Sequence, residues 1–118
     1  MISKMEINGV HFDIDDKLKK YVNKKIGQMD RYIPKHARES AHAEVKLKET
    51  MINHKKQCSC EVILHLPKEV IRIQETTINM YAAVDIVETK LKNQLKKYKD
   101  KHGGNRIHQR VLAKLRSR

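Results

Sequence analysis

Lys90, Lys97 and Lys101 stand seven and four residues apart, with Gln94 between them. On a helix those offsets line up four long polar side chains as one ridge. Such a ridge can bind phosphates: each ammonium that neutralises one frees a condensed cation, which favours association with nucleic acid. Lys92, Lys96 and Lys99 form a second ridge beside the first, and Asp100 is the only acidic residue after Glu88. Earlier in the chain Lys24, Gln28 and Arg31 share one helical face, with Lys25 next to it. A single exposed lysine is ordinarily just a solvated side chain. Aligned ridges on two elements with few acids among them point instead to a polyanion. If both elements cover the same side of a sheet, their ridges should lie side by side as one basic groove.

The other reactive groups do not assemble into a catalytic set. Cys58 and Cys60 fall on the same face of a strand and fit a pair of core thiols better than a zinc site, since His65 alternates to the opposite face. His36, His42, His102 and His108 are scattered and expected to be exposed without a shared task. Asp13, Asp15 and Asp16 precede a helix, where acids cap and favour the first turn. There is no glycine-rich phosphate loop, and no Ser or Cys has a base at a recognisable spacing. No enzyme, cofactor, metal or small-molecule substrate is therefore expected. Tyr21, Tyr32, Tyr81 and Tyr98 read as helical and Phe12 precedes a helix. The strands carry no aromatics, which argues against a strand-borne stacking platform for single-stranded bases.

The chain of 118 residues is the size of one domain, and 26 Lys and Arg against 14 Asp and Glu leave a net charge of +12. A surplus that large makes a polyanion the first partner to consider. Met1 to Ile7 lacks the apolar stretch of a signal peptide, and no run approaches the roughly 18 apolar residues of a membrane span. The chain reads as soluble and cytoplasmic, with no membrane partner. Two closely spaced cysteines fit a reducing compartment.

The elements that must position the ridges follow from hydrophobic period. Ile2 to Asn8 alternates as a half-buried strand, and Gly9 to Phe12 turns the chain. Asp15 caps a helix expected from about Asp16 to Tyr32, with Leu18, Val22, Ile26, Met29 and Ile33 as its apolar stripe and Pro34 as its end. Lys35 to Ser40 reads as a loop. Ala41, Ala43, Val45 and Leu47 alternate as a second strand, and Thr50 to Lys56 reads as a polar connection. Cys58, Cys60, Val62, Leu64 and Leu66 form the inward row of a third strand. Pro67-Lys68 turns into a fourth, Val70 to Glu75. Asn79 caps the longest helix, whose stripe Met80, Val84, Val87, Leu91, Leu95 and Tyr98 runs to about Lys101, and Gly103-Gly104 stops it. The fold class is α+β in the order β-α-β-β-β-α: a four-stranded sheet with two helices on one face, its first pair parallel and the rest an antiparallel meander. Residues 1–102 form this domain. Residues 103–118 form a basic tail, in which Ile107, Val111 and Leu115 have the spacing of a short helix.

The long helix also carries a resemblance. Asn79-Met80-Tyr81-Ala82-Ala83-Val84-Asp85, then Lys90-Leu91, Gln94-Leu95, Lys97 and Lys99-Asp100-Lys101, is similar to the signature of the ribosome hibernation-promoting factor and ribosome-associated inhibitor family. Tyr21-Val22, Lys25-Ile26, Met29 and Arg31-Tyr32 support it, and the likeness runs from Met1 to about His102. The resemblance implies a fold akin to the double-stranded-RNA-binding domain. It implies binding to the small ribosomal subunit and its ribosomal RNA, in the channel used by messenger and transfer RNA, and inhibition of translation under stress or in stationary phase. The positions matching the family's RNA-facing pattern are Lys25, Arg31, Lys90, Gln94, Lys97 and Lys101, with Lys24 beside them. Asn79 stands where the family often has Asp, and Gln28 and Asn93 where it often has a basic residue. The basic tail resembles the short form, which implies a separate partner for any dimerisation of ribosomes. The rival readings are a general double-stranded-RNA-binding protein and a module that binds acidic proteins.

Overall fold

Two hydrophobic periods run through the chain, and each is satisfied by a different layer. The computed structural model describes Ile2 and residues 4–102. Its elements are strand β1 (Lys4–Val10), helix α1 (Asp16–Lys25), a 3-10 segment (Gly27–Tyr32), short helix α2 (Lys35–Arg38), strands β2 (His42–Ile52), β3 (Lys55–Leu66) and β4 (Glu69–Thr77), and helix α3 (Met80–His102). The strands lie in the order β1-β2-β3-β4. β1 runs parallel to β2, and the other two pairs are antiparallel, as the connections require.

The register sets apolar residues abreast across the sheet. Ile7 lies opposite Val45, Val45 opposite Val62, and Val62 opposite Ile73. Alternation sends that row, with Ala43, Leu47, Cys58, Cys60, Leu64 and Ile71, to one face. Leu18, Val22, Ile26, Met29 and Ile33 join the same buried cluster from the first helical segment, and Met80, Val84, Val87, Leu91, Leu95 and Tyr98 join it from α3. α3 lies over β3 and β4, and α1 and the 3-10 segment pack along its flank. At its C-terminal half α3 is pinned by the Tyr98 hydroxyl, which donates to the Pro67 carbonyl at 2.9 Å. Both expected caps are present: Asp15 accepts from the Leu18 N–H at 2.7 Å, and Asn79 accepts from the N–H of Tyr81 at 2.8 Å. Both cysteines are buried free thiols, and burial pushes Cys60 up to about 12, far from a reactive thiolate.

Four expectations need correction. The first helix does not run unbroken to Tyr32. It ends at Lys25, and the chain tightens into the 3-10 segment from Gly27. Glycine is a poor helix interior, and the Gly27 carbonyl accepts the Ile2 N–H at 2.7 Å, tying the start of the chain to this point. The stretch from Lys35 is a helical turn rather than a loop, and Arg38 Nε donates to the carbonyls of Asp30 (3.0 Å) and Ile33 (2.9 Å). Thr50 to Lys56 is a hairpin end and not an irregular connection: both strands continue to Ile52 and Lys55 around Asn53-His54. These two residues have φ of 52° and 64°, the left-handed pair that a two-residue turn of this hand demands. β1 extends through Val10, and Gly9 permits the turn after it, because a Cβ there would stand 1.9 Å from the Phe12 carbonyl oxygen. The expectations for residues 103–118 lie outside the described residues.

Leu91 is fully buried beneath the centre of α3. Leu91→Ala is expected to lower unfolding free energy by about 2–5 kcal/mol, measured by urea denaturation, with the native circular dichroism spectrum retained.

Candidate nucleic-acid interface

Burial of the α3 stripe fixes the direction of every other residue on that helix. Lys90, Gln94 and Lys97 fall toward β4, where with Arg72, Ile73, Gln74, Glu75 and Asn93 they line an open groove of about 410 Å³. Lys92 and Lys96 fall on the opposite flank. There, with Met29, Arg31, Tyr32, Glu88, Thr89 and Asn93, they line a recess of about 340 Å³ against the 3-10 segment. Asn93 sits on the crest and borders both. The expected single groove between two helices is thus two grooves with α3 as the ridge between them. The ridge of Lys90, Gln94, Lys97 and Lys101 runs along the sheet edge, and only Lys92 and Lys96 face the first helical segment. The physical reason is azimuthal: residues 90 and 92 differ by two positions, about 200° around a helix.

The seven expected site residues therefore divide. Lys24 is exposed on the outer surface of α1. Lys25 reaches α3, with its ammonium 3.8 Å from the Glu88 carboxylate and 5.6 Å from the centre of the Tyr21 ring. Arg31 and Lys92, from different elements, both bring their charge to 5.2 Å from the centre of the Tyr32 ring. Lys90 is bound to Glu75 across to β4, and Lys101 lies 3.9 Å from Glu69 at the start of that strand. Gln94 and Lys97 lie on the β4 side with Lys90. Three of the basic side chains thus have a carboxylate neighbour from another element, which spacing within one helix could not show. Such pairs at the surface contribute about 0–1 kcal/mol each, so a phosphate can displace the carboxylate at little cost. Tyr32, Lys92, Lys96 and Arg72 were not among the expected site residues. The signal for the lysines was present as the second ridge of α3, but its facing partner was not.

The seam between α1 and α3 is set by aromatic and carboxylate groups. Tyr21 donates its hydroxyl hydrogen bond to the Asp85 carboxylate, and its ring meets that of Tyr81 edge-on at 4.9 Å. The hydrogen bond to Asp85, reinforced by burial, pushes the Tyr21 phenol up to about 12. On the far face of the sheet His42 and His65 are not scattered. Their rings stack at 4.2 Å, and His65 Nε2 lies 3.1 Å from Glu44, a hydrogen bond that holds that carboxyl below its ordinary range. Cross-strand pairing at residues 42 and 65 brings them together. Among the described residues no group of three or more His, Cys, Asp and Glu could hold a metal ion, and no helix is long and apolar enough to cross a membrane.

Residues 5–103 match the family described as Sigma 54 modulation protein / S30EA ribosomal protein. The chain is 31% identical over 96 residues to a ribosome hibernation promotion factor of Lactococcus lactis subsp. cremoris (strain MG1363), covering 81% of this chain and 49% of the relative. It is 32% identical over 96 residues to the factor of the same name from Staphylococcus aureus (strain COL), covering 81% and 48%. The chain therefore spans about half the length of the curated relatives it matches. Among solved structures, the N-terminal domain of Thermus thermophilus protein Y superposes with a TM-score of 0.66 at 27% identity, covering 79% of this chain and 94% of that one. A ribosomal subunit interface protein from Coxiella burnetii superposes with a TM-score of 0.66 at 26% identity, covering 82% and 98%.

The Tyr21–Asp85 contact has a signature at high pH. Because the folded state holds the phenol proton more tightly, the stabilisation is fully present below the ordinary value of 10.0 and is lost as pH rises toward about 12. Tyr21→Phe is expected to show a shallower decline of the denaturation midpoint across that window than the unsubstituted protein. Parallel declines would show that Tyr21 carries no linkage.

Proposed function

The chain belongs to the Sigma 54 modulation protein / S30EA ribosomal protein family, and on that premise we propose that it is a ribosome hibernation factor that binds the small ribosomal subunit and silences translation under stress or in stationary phase. The observation that carries this reading is the basic crest of α3, with Lys90 and Lys97 on one flank and Lys92 and Lys96, beside Arg31, on the other. The names of the relatives and of the subunit interface protein support the ribosome as partner.

The mechanism is steric occlusion with electrostatic anchoring. A helix crest with cations on both flanks can touch phosphates from two strands or two segments of a folded RNA at once. Contacts of this kind read backbone shape rather than base sequence. The site is the channel used by messenger and transfer RNA, where a domain of this size excludes both. Lys24, Lys25, Arg31, Lys90, Gln94, Lys97 and Lys101 make the contacts in this reading, joined by Lys92 and Lys96. Lys25, Lys90 and Lys101 exchange Glu88, Glu75 and Glu69 for phosphate on binding.

Neutralising Lys90, Lys97 and Lys101 together to Gln leaves Glu75 and Glu69 without an introduced repulsion, so the fold is expected to survive. Co-sedimentation with small subunits should fall sharply, and the slope of log affinity against log salt should flatten by roughly one for each lysine that contacts a phosphate. Unchanged co-sedimentation would exclude the β4 flank as the contact surface. A long RNA duplex that competes as well as small subunits would favour a general duplex binder instead.

A further inference from the structure

Tyr32 lies where no purely phosphate-binding surface needs an aromatic ring. It is half-buried in the wall of the recess between the 3-10 segment and α3. Arg31 and Lys92 approach its ring to the same 5.2 Å. Lys96 and the Asn93 amide complete the rim, and Glu88 supplies the recess with a carboxylate. A recess of about 340 Å³ is at the small end of ligand pockets, roughly 300–1,000 Å³. It can take one nucleotide and not the edge of a duplex.

From this arrangement we infer that the recess seats a single unpaired nucleotide of RNA, with its base stacked on Tyr32 and its phosphates held by Arg31, Lys92 and Lys96. The inference rests on the RNA-binding reading above and deepens it. A nucleobase stacks on an aromatic ring whatever its identity, and it holds that ring more strongly than an exposed ammonium does. Lys92 can therefore give up the ring to the base and move its charge to the adjoining phosphate. Glu88 repels phosphate and accepts N–H groups, so it orients the nucleotide with its base inward. Asn93 offers both a donor and an acceptor to the base edge. A regular A-form duplex keeps its bases stacked inside and can offer none to the recess. The site thus selects folded RNA in which a base is splayed out, a preference the lysine ridges cannot generate.

The test is an NMR titration of the isotope-labelled full chain with a short single-stranded oligoribonucleotide and, separately, with a blunt duplex of the same sequence. The Tyr32 ring protons are expected to move upfield with the single strand and to stay in place with the duplex. Tyr32→Ala is expected to weaken binding of the single strand on the order of tenfold, with duplex affinity unchanged and Tyr32→Phe restoring the single-strand affinity. Tyr32 signals that do not move at saturation overturn the inference while leaving the RNA-binding reading intact. An equal loss for single strand and duplex in Tyr32→Ala also overturns it, since it would mark the ring as structural. Failure of the unsubstituted protein to bind either RNA or small subunits overturns the RNA-binding reading, and this inference with it.

Discussion

A four-stranded sheet whose alternation sends Ala43, Val45, Leu47, Cys58, Cys60, Val62, Leu64, Ile71 and Ile73 to one side must cover that side or expose it to water. α3 provides most of the cover. Its stripe from Met80 to Tyr98 is buried along its length, and the Tyr98–Pro67 hydrogen bond stops it from sliding. Once seven positions of a 23-residue helix, Ala83 among them, are committed inward, the remaining positions have no freedom. Asn93 must form the crest, Lys90 and Lys97 must face β4, and Lys92 and Lys96 must face the 3-10 segment. The basic surface is thus a consequence of how the core is closed, and a change in the stripe would turn the lysines as well.

The same constraint explains why the surface is not uniformly positive. Glu75, Glu69 and Glu88 stand beside Lys90, Lys101 and Lys25. These carboxylates lower the local field without removing the cations from solvent, because exposed pairs are weak. On the proposed reading, a surface built this way favours a polyanion that brings several phosphates together in the right geometry over one that brings charge alone. Across the seam, Tyr21–Asp85 and the Tyr21–Tyr81 contact hold α1 against α3 and so keep the two sides of the recess at a set distance.

Much of the fold was legible because it rests on local period and local chemistry. Asp15 and Asn79 cap as their residue types dictate, and the parallel first pair follows from a helical crossover. What was not legible depended on single residues that override a period. Gly27 breaks a stripe that Val22, Ile26 and Met29 continue without a gap, since a 3-10 turn keeps the same residues inward. Asn53-His54 turns a hairpin with no glycine at either positive-φ position, so the polar composition of Thr50 to Lys56 read as loop.

By itself the sequence determined the apolar stripes that form the core, the order of the four strands and two main helices and the lysine ridges of α3, because each depends on offsets of two, three or four along one segment. The charge of +12 was equally plain. Only the tertiary structure decided which ridge faces which neighbour. The meeting of Arg31, Tyr32 and Lys92, the stacking of His42 on His65 and the carboxylate beside each of Lys25, Lys90 and Lys101 all join residues from different elements. Such contacts depend on the rotation and placement of whole helices and strands, which the packing of the core sets and no local spacing encodes.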